Sequence, residues 1–248
     1  GYSANQRVVN IVLKADFKSL TASVNVSRPE QGGRTTTSSE NNVLRIAGGD
    51  RWSLDINGTT ANTLFETERD IDRSATAGGA TGEEANAYRT LLPKTDEVSV
   101  AGTYKHDLND KVGMTLSGSL EDSSSFSYQG LPNLLLNVPG TNPFSPSGQD
   151  ETVFSYLDLP GSLTRKTDTR TAELGTVFDG YVGDWRWTAT GEYSRVETDT
   201  STGRGVDEIA LQALIAGDLT VNPFGDLTSR ATVNPRDTAN SLAQTATA

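Results

Sequence analysis

The sequence predicts an all-β chain, an antiparallel transmembrane β-barrel portion of about seven strands with long extracellular loops. Three observations predict it. Apolar and polar residues alternate along many segments, the signature of strands with one apolar and one polar face. Helix-period patterns are nearly absent. The connections alternate between tight turns and long polar stretches.

The strands read in order. Near 17–29, Leu20, Ala22, Val24 and Val26 alternate with Thr21, Ser23 and Asn25. A second strand falls near 33–47. In the third, near 50–66, Trp52, Leu54 and Ile56 alternate with Ser53, Asp55 and Asn57. The fourth, near 97–107, sets Val98, Val100 and Tyr104 against Ser99, Ala101, Thr103 and Lys105. The fifth, near 111–126, sets Val112, Met114, Leu116 and Leu120 against Gly113, Thr115, Ser117 and Ser119. The sixth, near 164–182, sets Ala172, Leu174, Thr176 and Phe178 against Thr171, Glu173 and Asp179. The seventh, near 184–202, sets Trp185, Trp187, Ala189 and Tyr193 against Arg186, Thr188, Thr190, Glu192 and Ser194. One helix is expected at 207–216, where Ile209, Leu211, Leu214 and Ile215 share a face, acidic residues open the first turn and Gly217 suits the end. The tail from 241 to 248 reads as neither helix nor strand.

The connections carry the most information. Tight turns fall at 47–50, 107–110 and 183–184. Between them lie long polar segments, roughly 66–96, 122–163 and 202 onward, with a shorter one at 28–33. If the tight turns share one end, the long connections share the other. Compact domains rarely hold such long loops, whereas outer-membrane barrels pair short periplasmic turns with long extracellular loops. In a barrel the apolar row faces lipid and the polar row faces the lumen. Glu173, Asp179, Thr188, Thr190 and Glu192 are the lumen-facing candidates. Tyr181, Trp185 and Trp187 flank a tight turn, where a membrane-interface aromatic girdle belongs. A β-sandwich would also alternate, but it does not send its long loops to one end.

Composition narrows the function. The 248 residues carry a net charge of -11, with no Cys, one Met and one His. A pI of 4.6 disfavours nucleic acid as a partner. Mean hydropathy is -0.45, and no run of about 18 apolar residues could form a membrane helix. A barrel tolerates this, since half of each strand faces water. No phosphate loop, nucleophile elbow or HExxH pattern is present. His106 beside Lys105 reads as a solvated turn residue. No catalytic residue, cofactor or metal is therefore assigned. Two acidic runs were tested as metal loops. Glu66, Glu68, Asp70 and Asp72 are interleaved with Arg69 and Arg73. Glu197 and Glu208 have calcium-loop spacing, but Thr202 stands where the sharp turn needs glycine. Both read as solvated loop edges.

The opening stretch adds a resemblance. Residues Arg7 to Lys14 read RVVNIVLK, followed by Ala15, Asp16 and Phe17 at the start of strand-like alternation. This resembles the close of the plug domain in TonB-dependent outer-membrane receptors. Asn-Pro-Phe at 142–144 and 222–224 is similar to a tripeptide of that family's extracellular loops, and also suits a Pro-fixed turn. The resemblance implies that 1–16 is the C-terminal end of a plug and 17–248 the N-terminal part of an outer-membrane β-barrel of 22 strands. It implies residence in the bacterial outer membrane of a Gram-negative cell. It further implies import of a scarce nutrient, such as a ferric siderophore, cobalamin or an oligosaccharide. TonB would energise that import through an N-terminal region outside this sequence. The implied partners are TonB, outer-membrane lipid and the transported small molecule. The loops 67–96, 127–163 and 203–248 would contact substrate, with no single ligand-binding residue assigned. Two other readings stand beside it: an extracellular β-rich adhesin or surface protein, and a passive porin.

Overall fold

A computed structural model describes residues 16–69, 71 and 86–248. The plug-like stretch up to residue 15, with Asp70, Asp72 and Arg73, lies outside the described residues. The described residues form twelve strands: β1 (Phe17–Ser27), β2 (Thr36–Ala47), β3 (Asp50–Ala61), β4 (Leu64–Phe65), β5 (Thr90–Leu92), β6 (Lys94–Asn109), β7 (Val112–Tyr128), β8 (Asn133–Val138), β9 (Glu151–Tyr156), β10 (Thr164–Val182), β11 (Trp185–Thr202) and β12 (Asp237–Thr247). One α-helix, α1 (Glu208–Gly217), stands between β11 and β12.

Eight strands make one antiparallel sheet in the order β1-β2-β3-β6-β7-β10-β11-β12. The order is that of the chain, so the sheet is a meander. β1 and β12 are its two margins, and it does not close into a barrel among the described residues.

The turns follow from local chemistry. Gly48 and Gly49 join β2 to β3 with φ of 59° and 92°, the pair of left-handed values that a two-residue type I′ hairpin needs. Gly183 at φ 61° precedes Asp184 between β10 and β11. A left-handed first position is the mark of a type II′ turn, and only glycine takes it without strain. Between β6 and β7 the register slips by one residue at Asp107 and Asn109, and Lys111 N–H donates to Asn109 Oδ1 at 2.9 Å. In an up-and-down meander these three turns share one end. The connections 28–35, 62–93, 129–163 and 203–236 share the other.

The sheet has eight strands where seven were expected, and the correction is β12. Its sequence, DTANSLAQTAT, has Leu242 as its one large apolar side chain. Small and polar residues give no alternation signal. What makes it a strand is an eleven-pair register with β11, from Glu192 opposite Thr247 to Thr202 opposite Asp237. Backbone pairing with an existing edge needs no apolar pattern. The long connections also carry structure that the sequence did not announce. β4 pairs with β5, and β8 pairs with β9 as a second small sheet. The helix lies where expected, shifted by one residue, with Asp207 as its cap: Asp207 Oδ1 accepts from Ala210 N–H at 2.9 Å.

The core sits in these connections. Leu134, Leu136, Leu157, Leu211, Ile215 and Leu227 are buried together with Val206 and Val221. They come from the β8–β9 hairpin, α1 and the segments flanking α1. Side chains of α1 also satisfy the backbone of β8. Glu208 accepts from Leu135 N–H at 2.8 Å, and Gln212 both accepts from Asn137 N–H and donates to Asn137 O, each at 2.9 Å. These bonds span 73 and 75 residues of sequence, so two separate connections fold into one cap.

Candidate functional site

The register assigns every strand residue of the sheet to one of two faces, because directly opposed residues share a face. One row runs Leu20, Val43, Leu54, Gly102, Gly118, Leu174, Tyr193 and Ala246. Beside it lie Trp52, Tyr104 and Leu116 on one side, and Ile56, Val100, Leu120 and Ala172 on the other. The face is apolar on β1, β3, β6, β7, β10 and β11, while β2 and β12 place Ser39, Asn41, Asn240 and Gln244 on it. It is not covered by protein among the described residues: Leu20 is 74% exposed, Leu174 64% and Trp185 82%. Gly118 has a packing reason, since a Cβ there would stand 3.3 Å from Leu174 Cδ2.

The apolar face has polar margins. Towards the long connections it passes into Asp96, Asp168 and Asp199, after Arg170 and Asp122 form an ion pair at 3.0 Å. Arg195 pairs with Glu197 there as well. A groove of about 390 Å³ crosses this margin over Val98, Val100, Leu120 and Ala172. Towards the tight turns stand Lys18 and Arg45, opposed in register. His106 lies on this face too, inside β6 and half-exposed, not in a solvated turn as expected. Its Nδ1 is 2.5 Å from Asp50 Oδ1, and its ring stacks on Tyr104 with centroids 6.0 Å apart.

The opposite face is polar. Glu173, Asp179, Thr188, Thr190 and Glu192 all lie on it, as the alternation required. Tyr181 also lies on it, opposite Arg186. That is a correction: Trp185 and Trp187 stand on the apolar face, and Tyr181 does not join them. Proximity to the turn suggested one girdle, but Tyr181 has the odd parity of Asp179 while Trp185 opposes Val182. The alternation puts Asp55, Glu173 and Glu192 on this face but leaves out Glu40, Glu97 and Glu121. Glu40, Asp55, Glu97 and Glu121 share it with Glu173 and Glu192. The polar halves of β3 and β6 signalled it; β2 gave no such signal. A hollow of about 280 Å³ lies over Gly175, bordered by Ser117, Glu173, Glu192, Ser194, Thr245 and Thr247. A Cβ on Gly175 would stand 2.5 Å from Ser117 Oγ, so the hollow depends on the missing side chain.

Arginines tie the long connections to the sheet. Arg34 donates to Pro93 O at 2.9 Å and to Thr95 Oγ1 at 3.2 Å. Arg236 donates to Ser201 Oγ at 2.8 Å, Thr164 Oγ1 at 2.9 Å and Thr164 O at 3.1 Å. The two Asn-Pro-Phe tripeptides adopt one geometry: Asn142 Oδ1 accepts from Phe144 N–H and Asn222 Oδ1 from Phe224 N–H, both at 3.0 Å. These are side-chain-closed turns. In the cap, Thr220 donates to Asp218 from its hydroxyl at 2.6 Å and its N–H at 2.9 Å, which holds that carboxyl below the usual range. Thr228 does the same to Asp226.

The described members of the acidic runs serve local structure. Glu66 is buried in a 3₁₀ turn, and Glu68 accepts from Phe65 N–H at 2.8 Å. Glu197 lies on β11, while Asp207 and Glu208 cap and anchor α1. Among the described residues no three His, Asp or Glu side chains are grouped to hold an ion. No helix among them is long and apolar enough to cross a membrane. Comparison with models of protein families, with characterised sequences and with solved structures finds no match to this chain.

Proposed function

We propose that this chain is a wall segment of a β-barrel in the bacterial outer membrane, belonging to a TonB-dependent receptor that imports a scarce nutrient. The observation that carries the reading is the two-faced meander. One face concentrates exposed apolar side chains on β1, β3, β6, β7, β10 and β11, the other is polar, and the tight turns all lie at one end. In water such a face would be a liability for aggregation. In a bilayer it meets its solvent.

The dimensions fit. On β7 the apolar row runs from Val112 to Leu120, about 27 Å along the strand at roughly 3.4 Å per residue. Barrel strands tilt by about 35–45°, which leaves about 20 Å of height, near the roughly 25 Å apolar band of such barrels. β10 and β11, at 19 and 18 residues, exceed the 9–11 needed to span. Their far halves, with Asp168 and Asp199 on the outer face, would stand in water above the membrane and carry the cap. Trp185 and Trp187 would sit at the periplasmic interface. Lys18 and Arg45 lie two strand positions from the apolar centre and would reach the interface by snorkelling. The wall performs no covalent chemistry. It lines the path, while TonB acts on a plug to open it.

The absence of native Cys makes the test direct. Single cysteines at Leu116, Leu174 and Trp187 carry a fluorophore, in membranes reconstituted with a lipid-phase quencher. Strong quenching there, with little at Thr171 or Ser99, is expected. Equal quenching on both faces would sink the wall reading. Active import is tested separately by the coding sequence ahead of Gly1: a plug-sized segment of about 100 residues or more is expected, and a passive porin would have none.

A further inference from the structure

We propose that the polar face selects its cargo by charge, passing hydrophilic, hydroxyl-bearing solutes that are neutral or cationic and excluding polyanions. The inference rests on the reading of that face as a lumen wall. Five consecutive cross-strand rows, from the one holding Ser117 and Gly175 to the one holding Ser125 and Thr167, contain Glu40, Asp55, Glu97, Glu121, Glu173 and Glu192. The same rows contain neither Lys nor Arg. Among the described residues, no ion pair reaches any of the six carboxylates. The face's cations stand at its margins: Arg51, Lys105 and Arg186 towards the tight turns, Arg165 towards the long connections.

This distribution is a one-sign field. The apolar face of the same sheet mixes signs, with Arg170 beside Asp122 and Arg195 beside Glu197. On the polar face, among the described residues, no cation pairs with these carboxylates. In a channel walled by low-dielectric material, one-sign charge focuses the field and raises counter-ion concentration by roughly ten-fold or more. Rings of Asp and Glu give cation preference by the same physics.

The second observation is the hydroxyl density around and beyond Glu97, at the long-connection end of the carboxylates. One row holds Ser38, Thr59, Ser123, Thr169, Thr198 and Ser241. The next holds Ser27, Thr36, Thr95, Ser125, Thr167 and Thr200. Facing hydroxyls stand 3.4 Å apart at Thr167 and Thr200 and again at Thr169 and Thr198. A hydroxyl both donates and accepts, so these rows can exchange hydrogen bonds with a polyol or with water at little cost. They offer an anion no positive charge. Glu173 and Glu192 border the Gly175 hollow below them. An amine or polyol fits that lining, and a polycarboxylate does not.

The test measures the field on the membrane-embedded protein. Ser99→Cys places a thiol opposite Glu121 and Asn57, and Thr171→Cys provides a second position in the same row. Each reacts with thiosulfonates of similar size, one bearing trimethylammonium and one bearing sulfonate. The ratio of the two rates is compared with that on free 2-mercaptoethanol. An increase of about ten-fold is expected, falling towards unity at about 1 M salt and on E97Q/E121Q substitution. A ratio within two-fold of the free thiol overturns the proposal, as does a raised ratio that E97Q/E121Q leaves unchanged. Failure of both reagents to react overturns it too, since the face would then be closed to aqueous solutes. Lipid-phase quenching at Leu174→Cys separates the two readings. Quenching with a flat ratio removes charge selection alone. A raised ratio without quenching removes the wall and leaves charge selection by this face standing.

Discussion

The sheet and the cap are built from one chain under opposite rules. The cap has a core: Leu134, Leu136, Leu157, Leu211 and Ile215 are almost fully buried against one another. The sheet has none of its own, and Leu174 at its centre is 64% exposed. Apolar burial stabilises the cap by about 25 cal/mol per Å² removed from water. Among the described residues the sheet buries far less of its apolar face. It is held by backbone ladders of up to 18 opposed pairs and leaves its apolar face for the surroundings to cover. The difference teaches that the chain separates a buried core in the cap from an exposed apolar sheet face, and under the wall reading the solvent boundary lies between them. The apolar face ends at the cap, where it gives way to Asp96, Asp168 and Asp199.

The comparison breaks first at its most buried residue. Leu136, with 0% exposure, packs in the cap, and Leu136→Ala should cost about 2–5 kcal/mol of cap stability. Leu174→Ala on the sheet removes no protein contact of that kind. It should change unfolding in detergent by no more than about 0.5 kcal/mol. Hydrogen exchange resolves the two, because cap amides and sheet amides report separately. If Leu174→Ala destabilises as much as Leu136→Ala, the sheet has a protein cover and the contrast is false.

The next test adds the membrane. An arginine at the bilayer midplane of a barrel's lipid face costs about 2–4 kcal/mol, and lumen substitutions cost far less. Leu174→Arg should therefore impair folding into vesicles by that amount, read from a denaturant titration. Thr171→Arg lies three residues along the same strand on the opposite face and should change it by less than about 1 kcal/mol. Equal costs would remove the distinction between the faces.

Much of this contrast was legible in the sequence, and the parts that were not have physical reasons. Period-two alternation in β6, β7, β10 and β11 fixed which residues share a face. Alternation between tight and long connections fixed the two ends. β12 was illegible because Ala, Thr, Ser and Asn pack into a ladder without an apolar signature, so its only cue lies in the edge of β11. Tyr181 was misread because nearness to a turn was taken as facing, when parity decides facing. The cap was illegible for another reason. Its core joins Leu134 and Leu136 to Leu211 and Ile215, residues from two loops whose meeting no local pattern encodes. The acidic face was only half read, because Glu40 and Glu97 become neighbours of Glu121 through cross-strand register and not through sequence.

A smaller effect tests how the cap's helix is anchored. Asp207→Ala removes the side chain that accepts from Ala210 N–H, and lost caps cost about 1 kcal/mol. Gln212→Ala removes both bonds to Asn137, at about 1 kcal/mol on the same scale. Both should lower protection in α1 and β8 and leave β6 and β7 unchanged. A matching loss in the sheet would show that cap and sheet unfold together.

The smallest expected effect is a pH slope confined to the cap. Asp218 and Asp226 have carboxyls held below their usual range by hydrogen bonds from Thr220 and Thr228. A depressed folded value means that the unfolded chain takes up protons first as pH falls. The contribution of these groups is therefore complete above about pH 4, the ordinary Asp value, and is lost as pH falls through the folded values. Both lie on the surface, so solvent screens them and the slope should be shallow. Cap amides, followed by hydrogen exchange from neutral to acid pH, should lose protection over that window. D218N and D226N together should flatten the loss, because an amide oxygen still accepts from the threonine without titrating. An undiminished slope in the double variant would show that these two carboxyls do not set the acid sensitivity of the cap.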